Sequence, residues 1–100
     1  GERVADGIRR KPAPDMVFMA AKRLGIKPES CIYIGDSEVD IQTAHNAGME
    51  CISVCWGFRD EAFLKQAGAT HLVHTPQELL RLLLDKAATG KGAPIENGML

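Results

Sequence analysis

Apolar positions along the chain fall into short blocks separated by Gly, Pro and polar clusters. Met16, Val17, Ala20, Ala21 and Leu24 recur at three- and four-residue spacing, which predicts a helix over Asp15–Leu24 with that stripe as its buried face. Pro14 suits the entry turn, Asp15 complements the positive end of the helix dipole, and Gly25 stands where a helix stops. After the connector Ile26–Ser30, the run Cys31-Ile32-Tyr33-Ile34 is continuously apolar, as a strand covered on both faces should be. Ser37 offers an N-cap to a helix running to about Ala47, closed by Gly48. Cys51–Trp56 reads as a second strand, Asp60 caps a short helix through Ala67 that Gly68 ends, and His71–Val73 is a third, shorter strand. Thr75-Pro76-Gln77-Glu78 combines a Thr N-cap, Pro at the first helical position and Glu at the third, predicting a capping box and a helix through the Leu-rich run to about Ala88.

Helix and strand alternate, so the expected fold class is α/β: a short parallel sheet with helices on both faces, a three-layer αβα arrangement. Residues 1–88 would form this unit. Thr89–Leu100 has three glycines and no periodicity, and reads as a flexible tail. No internal repeat is visible. Three strands are few for such a sheet, and an edge strand as apolar as Cys31–Ile34 points to missing neighbours.

Composition narrows the class without naming a function. One hundred residues, 45% hydrophobic and 25% charged with net charge −1, describe one small packed domain rather than a disordered chain. Without a basic run there is no electrostatic footprint for nucleic acid or an anionic membrane surface. No apolar stretch reaches the roughly 20 residues that span a bilayer. Cys31, Cys51 and Cys55 are an odd number, all in apolar runs, and read as small hydrophobes in a reduced, cytoplasmic setting. Cys51 and Cys55 would share a strand face roughly 13 Å apart, too far for a disulfide. The three histidines complete no zinc pattern with them. The chain opens Gly1-Glu2, with no leader-like segment. A cut terminus, a proteolytic fragment or a cleaved tag is the expected cause.

Two short segments carry candidate chemistry. Gly35 and Asp36 fall at the carboxyl end of the first strand, where open α/β sheets bind ligands, and Ser37 opens the next helix. Asp36 and Asp40 are four apart and so neighbour each other at the helix N-terminus. A carboxylate at a strand exit, close to backbone N–H groups, suits a hard cation such as Mg²⁺. Lys11, held before the stiff Pro12-Ala13-Pro14 segment, could set an ammonium against a phosphate or a carboxylate. Each piece has a plain structural reading: a solvated lysine, a proline chain-breaker, a capping pair in Ser37 and Asp40. Arg59, leaving the second strand on the ligand side, could approach a substrate anion, whereas Trp56 and Phe58 read as packing residues. His45, His71 and His74 read as surface or structural.

Taken together, Lys11-Pro12-Ala13-Pro14-Asp15, the Leu24-Gly25 helix end, the segment from Pro28 through Tyr33-Ile34-Gly35-Asp36-Ser37 to Asp40, and Ala44 to Ala47-Gly48-Met49 resemble the third and fourth motifs of haloacid-dehalogenase (HAD) superfamily phosphatases. The phosphoglycolate phosphatase-like branch is the nearest match. Val54 with Trp56-Gly57-Phe58-Arg59, and Ala67-Gly68-Ala69 onward to Leu80, resemble the same group, so the likeness covers about residues 7–84. It implies a partial Rossmann-like, HAD-type core and a Mg²⁺-dependent phosphomonoester hydrolase working through an aspartyl-phosphate. Lys11 would be catalytic and substrate-binding, neutralising the nucleophile and the transferring phosphoryl group. Asp36 would bind Mg²⁺ in the complete enzyme, with weak or absent binding expected in this chain alone. Asp40 would hold the metal's water shell and orient the lysine.

The resemblance also marks what the 100 residues lack. The family's attacking aspartate and its acid partner lie in a D-x-D-x-T motif N-terminal to the lysine, and no D-x-D occurs here. The chain is therefore expected to be the C-terminal half of a core, inactive alone, whose partners are the missing N-terminal half and a small phosphorylated metabolite. In the family's sheet the strand ending at Gly35 pairs with the strand of the attacking aspartate. With that edge open, self-association, or cover by the tail or the N-terminal segment, is expected. A non-catalytic interaction or regulatory module that kept the half-fold is the alternative. A receiver-like domain is a third reading, disfavoured because the proline-flanked lysine precedes the first acidic strand end.

Overall fold

The computed structural model describes residues 7–90 and 93–96. Helices span Asp15–Leu24 (α1), Glu38–Ala47 (α2), Glu61–Gln66 (α3) and Pro76–Ala87 (α4); strands span Cys31–Gly35 (β1), Glu50–Val54 (β2), Leu72–Val73 (β3) and Ala93–Glu96 (β4). A short 3₁₀ turn, Pro28–Ser30, leads into β1.

Local chemistry sets most of these boundaries. Gly25 and Gly48 follow α1 and α2 at φ +70° and +66°, a left-handed conformation that costs a side chain dearly and glycine little. At the other ends, the Ser37, Asp60 and Thr75 side chains accept the N–H of Asp40, Phe63 and Glu78. The Thr75 box differs from expectation in one respect. The Glu78 carboxylate accepts the N–H of His74 rather than that of Thr75, and so reaches one residue further back.

All strands run parallel in the order β3-β2-β1-β4. Successive β1 side chains feed two separate cores. Cys31 and Tyr33 pack with Val17 and Ala21 of α1, Ala44 and Ala47 of α2, Met49 and Ile95. Ile32 and Ile34 pack with Ile52, Val54 and Val73 under Leu79, Leu82 and Leu83 of α4. The sheet is thus the middle layer of an αβα sandwich, and every β1 residue is buried. Of the expected α1 stripe, Val17 and Ala21 are fully buried, whereas Leu24, in the last position of the helix, is 45% exposed. No helix among the described residues is long and apolar enough to cross a membrane.

Two departures from the sequence reading matter. The second strand ends at Val54, not Trp56, because the chain turns there over the end of β1. The larger departure is β4, which lies in the segment read as a tail without structure. Ala93–Glu96 pairs with β1 from Cys31 to Ile34 and seats Ile95, fully buried, against Tyr33 and Val17. Pro94 is tolerated because β4 is an edge strand. The edge of β1 is therefore covered by the chain's own C-terminal segment, and among the described residues the sheet has four strands where three were expected. The remaining residues of that tail segment, 91–92 and 97–100, and residues 1–6 of the N-terminal segment lie outside the described residues.

Candidate active site

Strand order creates the site before any side chain does. The chain steps from β1 outward to β2 and β3, then α4 carries it back across to β4 on the other side of β1. The order reverses between β1 and β4, and such a switch point leaves a crevice at the carboxyl ends of its strands. Ile34, Gly35, Asp36, Val54, Trp56, Leu79 and Glu96 line the cleft there.

Asp36 stands at the exit of β1, just before the Ser37 cap. Its carboxylate Oδ2 accepts the N–H of Phe58 at 3.2 Å, and its carbonyl accepts the N–H of Arg59 at 3.1 Å. Asp40 points the other way, into the molecule, and is 1% exposed. Its Oδ1 accepts the Tyr33 hydroxyl at 2.8 Å and Lys11 Nζ at 3.1 Å; its Oδ2 accepts the Asp36 N–H at 3.0 Å and the Ser37 hydroxyl at 2.9 Å. Burial alone would raise the Asp40 pKa, but the donors Tyr33, Asp36, Lys11 and Ser37 outweigh it and hold the group below the ordinary carboxylate value. The same contact and burial push the Tyr33 phenol well above its usual range, so its proton stays on oxygen. Gly35 makes this possible: a Cβ there would lie 2.3 Å from the Asp40 Cβ.

Lys11 reaches Asp40 from the segment that precedes α1. Asn46 Nδ2 donates to the Pro12 carbonyl at 2.9 Å, fastening the segment to the helix, and Arg9 pairs with Asp15 at the start of α1. The Lys11–Pro12 peptide bond is cis. Lys11, Asp40 and the Asp36 backbone thereby form one hydrogen-bonded chain linking three separate segments. Glu96 of β4 faces the same cleft as Asp36.

The three residues singled out in the sequence, Lys11, Asp36 and Asp40, share one set of hydrogen bonds, whereas Tyr33, Glu96 and Gly57 beside them were not singled out as site residues. A buried Tyr signals that its hydroxyl has a partner without naming it. Glu96 lies in a segment with no periodic pattern. Gly57 reads as a turn residue, yet its significance is proximity: a Cβ there would come 2.5 Å from Asp36 Oδ2. Arg59 does not extend toward the cleft. Its guanidinium forms a two-pronged pair with Glu38 (Nε to Oε2 and Nη2 to Oε1, both 3.1 Å) and lies 4.4 Å from the ring centres of Phe58 and Phe63. The pairing lowers the Glu38 pKa.

The histidines make contacts of their own. His45 is exposed on α2. His71 pairs with Glu50, and His74 bridges Glu61 and Glu78, whose hydrogen bonds raise its pKa. The three cysteines are free, and burial raises all of their pKa values, Cys51 to about 11, so none is an activated nucleophile.

Asp36 and Glu96 bring hard oxygen donors to one cleft, and Gly57 leaves a cradle beside the Asp36 carboxylate that a side chain would fill. The donor chemistry fits Mg²⁺, which takes one or two carboxylates and keeps several waters. Asp40, with hydrogen bonds to both oxygens, fits the role of orienting its neighbours rather than of a direct ligand. Among the described residues no group of three His, Cys, Asp or Glu side chains is arranged to hold a metal ion.

A Rossmann-like parallel sheet with an acidic strand exit at its switch point, and a lysine bonded to a buried aspartate beside it, describes a HAD-type core. A family profile described as HAD-hydrolase-like matches residues 8–80. The chain belongs to this family, the haloacid-dehalogenase-like hydrolases. Within it the chain is similar to phosphoglycolate phosphatases: 46% identical over 50 residues to that of Xylella fastidiosa, covering 50% of this chain and 22% of the relative. The phosphoglycolate phosphatase of Xanthomonas campestris is 40% identical over 73 residues, covering 70% of this chain and 32% of the relative. A crystal structure from Lactobacillus delbrueckii subsp. bulgaricus, bearing a provisional phosphoglycolate phosphatase name, superposes with TM-score 0.75 at 52% identity, over 79% of this chain and 33% of the other. The chain thus spans about a third or less of the length of these relatives.

Proposed function

We propose that this chain supplies the lysine and the acidic metal-binding part of a Mg²⁺-dependent phosphomonoesterase of the phosphoglycolate phosphatase-like branch, acting on a small phosphorylated metabolite in the cytoplasm. The observation that carries the reading is the single hydrogen-bonded chain from Lys11 through Asp40 to the Asp36 backbone at the switch point of the sheet. Phosphoryl transfer asks little covalent chemistry of a protein; it asks for fixed positive charge and fixed geometry around the moving group. Asp40, ionised at neutral pH and buried, holds the Lys11 ammonium in place. Lys11 then offers its charge to an anion at the strand ends. Asp36, with Glu96 nearby, would hold Mg²⁺, which when bound withdraws charge from phosphate oxygens. The attacking aspartate of the proposed aspartyl-phosphate lies outside these 100 residues, so the chain alone does not turn over phosphoesters.

The alternative, a non-catalytic module, has one observation in its favour. β4 occupies the edge of β1, where the family resemblance puts the strand of the attacking aspartate. Under the leading reading those two strands compete for one edge. Sequencing the gene upstream of the Gly1 codon separates the readings. An in-frame D-x-D-x-T motif roughly one domain length earlier, of the order of 100 residues, supports the phosphatase. A start codon directly before Gly1 sinks it and favours the module.

A further inference from the structure

The loop leaving β2 touches Asp36 at several points. We propose that Gly57, Phe58 and Arg59 form a positioning clamp that fixes the Asp36 carboxylate in its metal-binding orientation. The inference rests on the reading of Asp36 as a metal ligand.

Three independent contacts build the clamp. The Phe58 N–H donates to Asp36 Oδ2 at 3.2 Å, so a backbone group, which cannot rotate away as a side chain can, sets the carboxylate's orientation. The Arg59 N–H donates to the Asp36 carbonyl at 3.1 Å, so the loop grips the backbone of the same residue. At Gly57 the chain passes so close that a Cβ would sit 2.5 Å from Oδ2, 2.6 Å from the Asp36 Cβ and 2.9 Å from its Cγ. Contact at that range is open only to glycine, because any side chain would push the carboxylate aside.

A loop of this kind needs its own anchor, and Arg59 provides it. Both prongs of its guanidinium bind Glu38 in the first turn of α2, and its planar face lies 4.4 Å from the ring centres of Phe58 and Phe63. The anchor joins the loop after β2 to the helix after β1, and Asp36 lies between the two. Groups that orient a metal ligand without touching the metal commonly govern affinity.

The test uses Mn²⁺ as the probe and, because the proposed reading makes this chain only part of the site, the polypeptide encoded by the gene's whole reading frame as the protein. Amide signals of a ¹⁵N-labelled sample are followed during a Mn²⁺ titration, since a bound paramagnetic ion broadens those nearby. The unsubstituted protein should lose signals around Asp36 and Phe58, and Asp36→Asn should abolish that effect. Gly57→Ala and Arg59→Gln should each weaken Mn²⁺ binding by about 10- to 100-fold while the remaining spectrum stays that of the folded protein. Should Gly57→Ala not fold, Arg59→Gln carries the test alone. If the full-length protein binds no Mn²⁺ near Asp36, or binds it equally well as Asp36→Asn, the metal reading falls and the clamp with it. If Asp36→Asn loses binding but every folded clamp variant binds as the unsubstituted protein does, the metal reading stands and the clamp is overturned.

Discussion

The Tyr33 hydroxyl donates to Oδ1 of Asp40 at 2.8 Å, joining the middle of β1 to the first turn of α2 inside the molecule. Neither partner has solvent to fall back on, since Tyr33 is fully buried and Asp40 nearly so. Tyr33→Phe should therefore destabilise the chain by about 1–3 kcal/mol at neutral pH, the usual cost of withdrawing a donor from a buried charged acceptor. Urea unfolding of the two proteins measures it. A smaller loss in acid than at neutral pH would tie the effect to the charged form.

The depressed pKa of Asp40 fixes the direction of a pH dependence. A carboxyl whose pKa is lower folded than unfolded stabilises the fold above its unfolded value, about 3.9, and loses that stabilisation as pH falls through the folded value. Stability should decline from about pH 4 downward. Asp40→Asn should flatten that decline without removing it, because Asp15, Glu38 and Glu61 are also shifted down by their partners. Unfolding free energies between pH 2 and pH 7 for both proteins provide the check.

Gly35 and Asp40 are in such close contact that the strand exit has no room for a methyl group. Gly35→Ala would set a Cβ 2.3 Å from the Asp40 Cβ and 2.6 Å from its Oδ2. Either the helix start or the carboxylate must move, at an expected cost of about 1–3 kcal/mol or more. The same variant should weaken the Lys11–Asp40 contact, visible as a shift of the Lys11 side-chain signals by NMR.

β4 hangs on one buried side chain, Ile95, so Ile95→Ala should be costly although it lies in an edge strand. The expected loss is about 2–5 kcal/mol by urea unfolding. Loosening β4 also uncovers the apolar edge of β1, so sedimentation should reveal association rising with concentration in this variant. A loss below about 0.5 kcal/mol, typical of a surface substitution, would mean that β4 is not docked as described.

Much of the fold was legible because its boundaries are written locally. Ser37 and Thr75 advertise helix starts, Gly25 and Gly48 advertise helix ends, and the unbroken apolar run Cys31–Ile34 announces a strand buried on both faces. β4 was not legible for the opposite reason. Ala93-Pro94-Ile95-Glu96 has a single buried residue and a proline in its middle, and only pairing with β1 makes it a strand. At the site, Lys11, Asp36 and Asp40 stood out as residue types at a spacing. Their division of labour came from the family resemblance and not from the spacing, which places two acids near one helix start but does not say that one faces the cleft and the other is sealed beneath it. Tyr33 and Gly57 are set by contacts across 7 and 21 residues of chain, which no local pattern encodes.

The central claim is that Asp36, steadied by Asp40 and Lys11, belongs to the metal-binding half of a phosphomonoesterase. The direct measurement is phosphate release from 2-phosphoglycolate and p-nitrophenyl phosphate by the polypeptide encoded by the gene's whole reading frame. It should be made with Mg²⁺ and with EDTA, for the unsubstituted protein and for Asp36→Asn. Turnover that requires Mg²⁺ and is lost in Asp36→Asn is the predicted result. Turnover indifferent to EDTA or to Asp36→Asn, or no hydrolysis of any phosphomonoester by the folded protein, would contradict it.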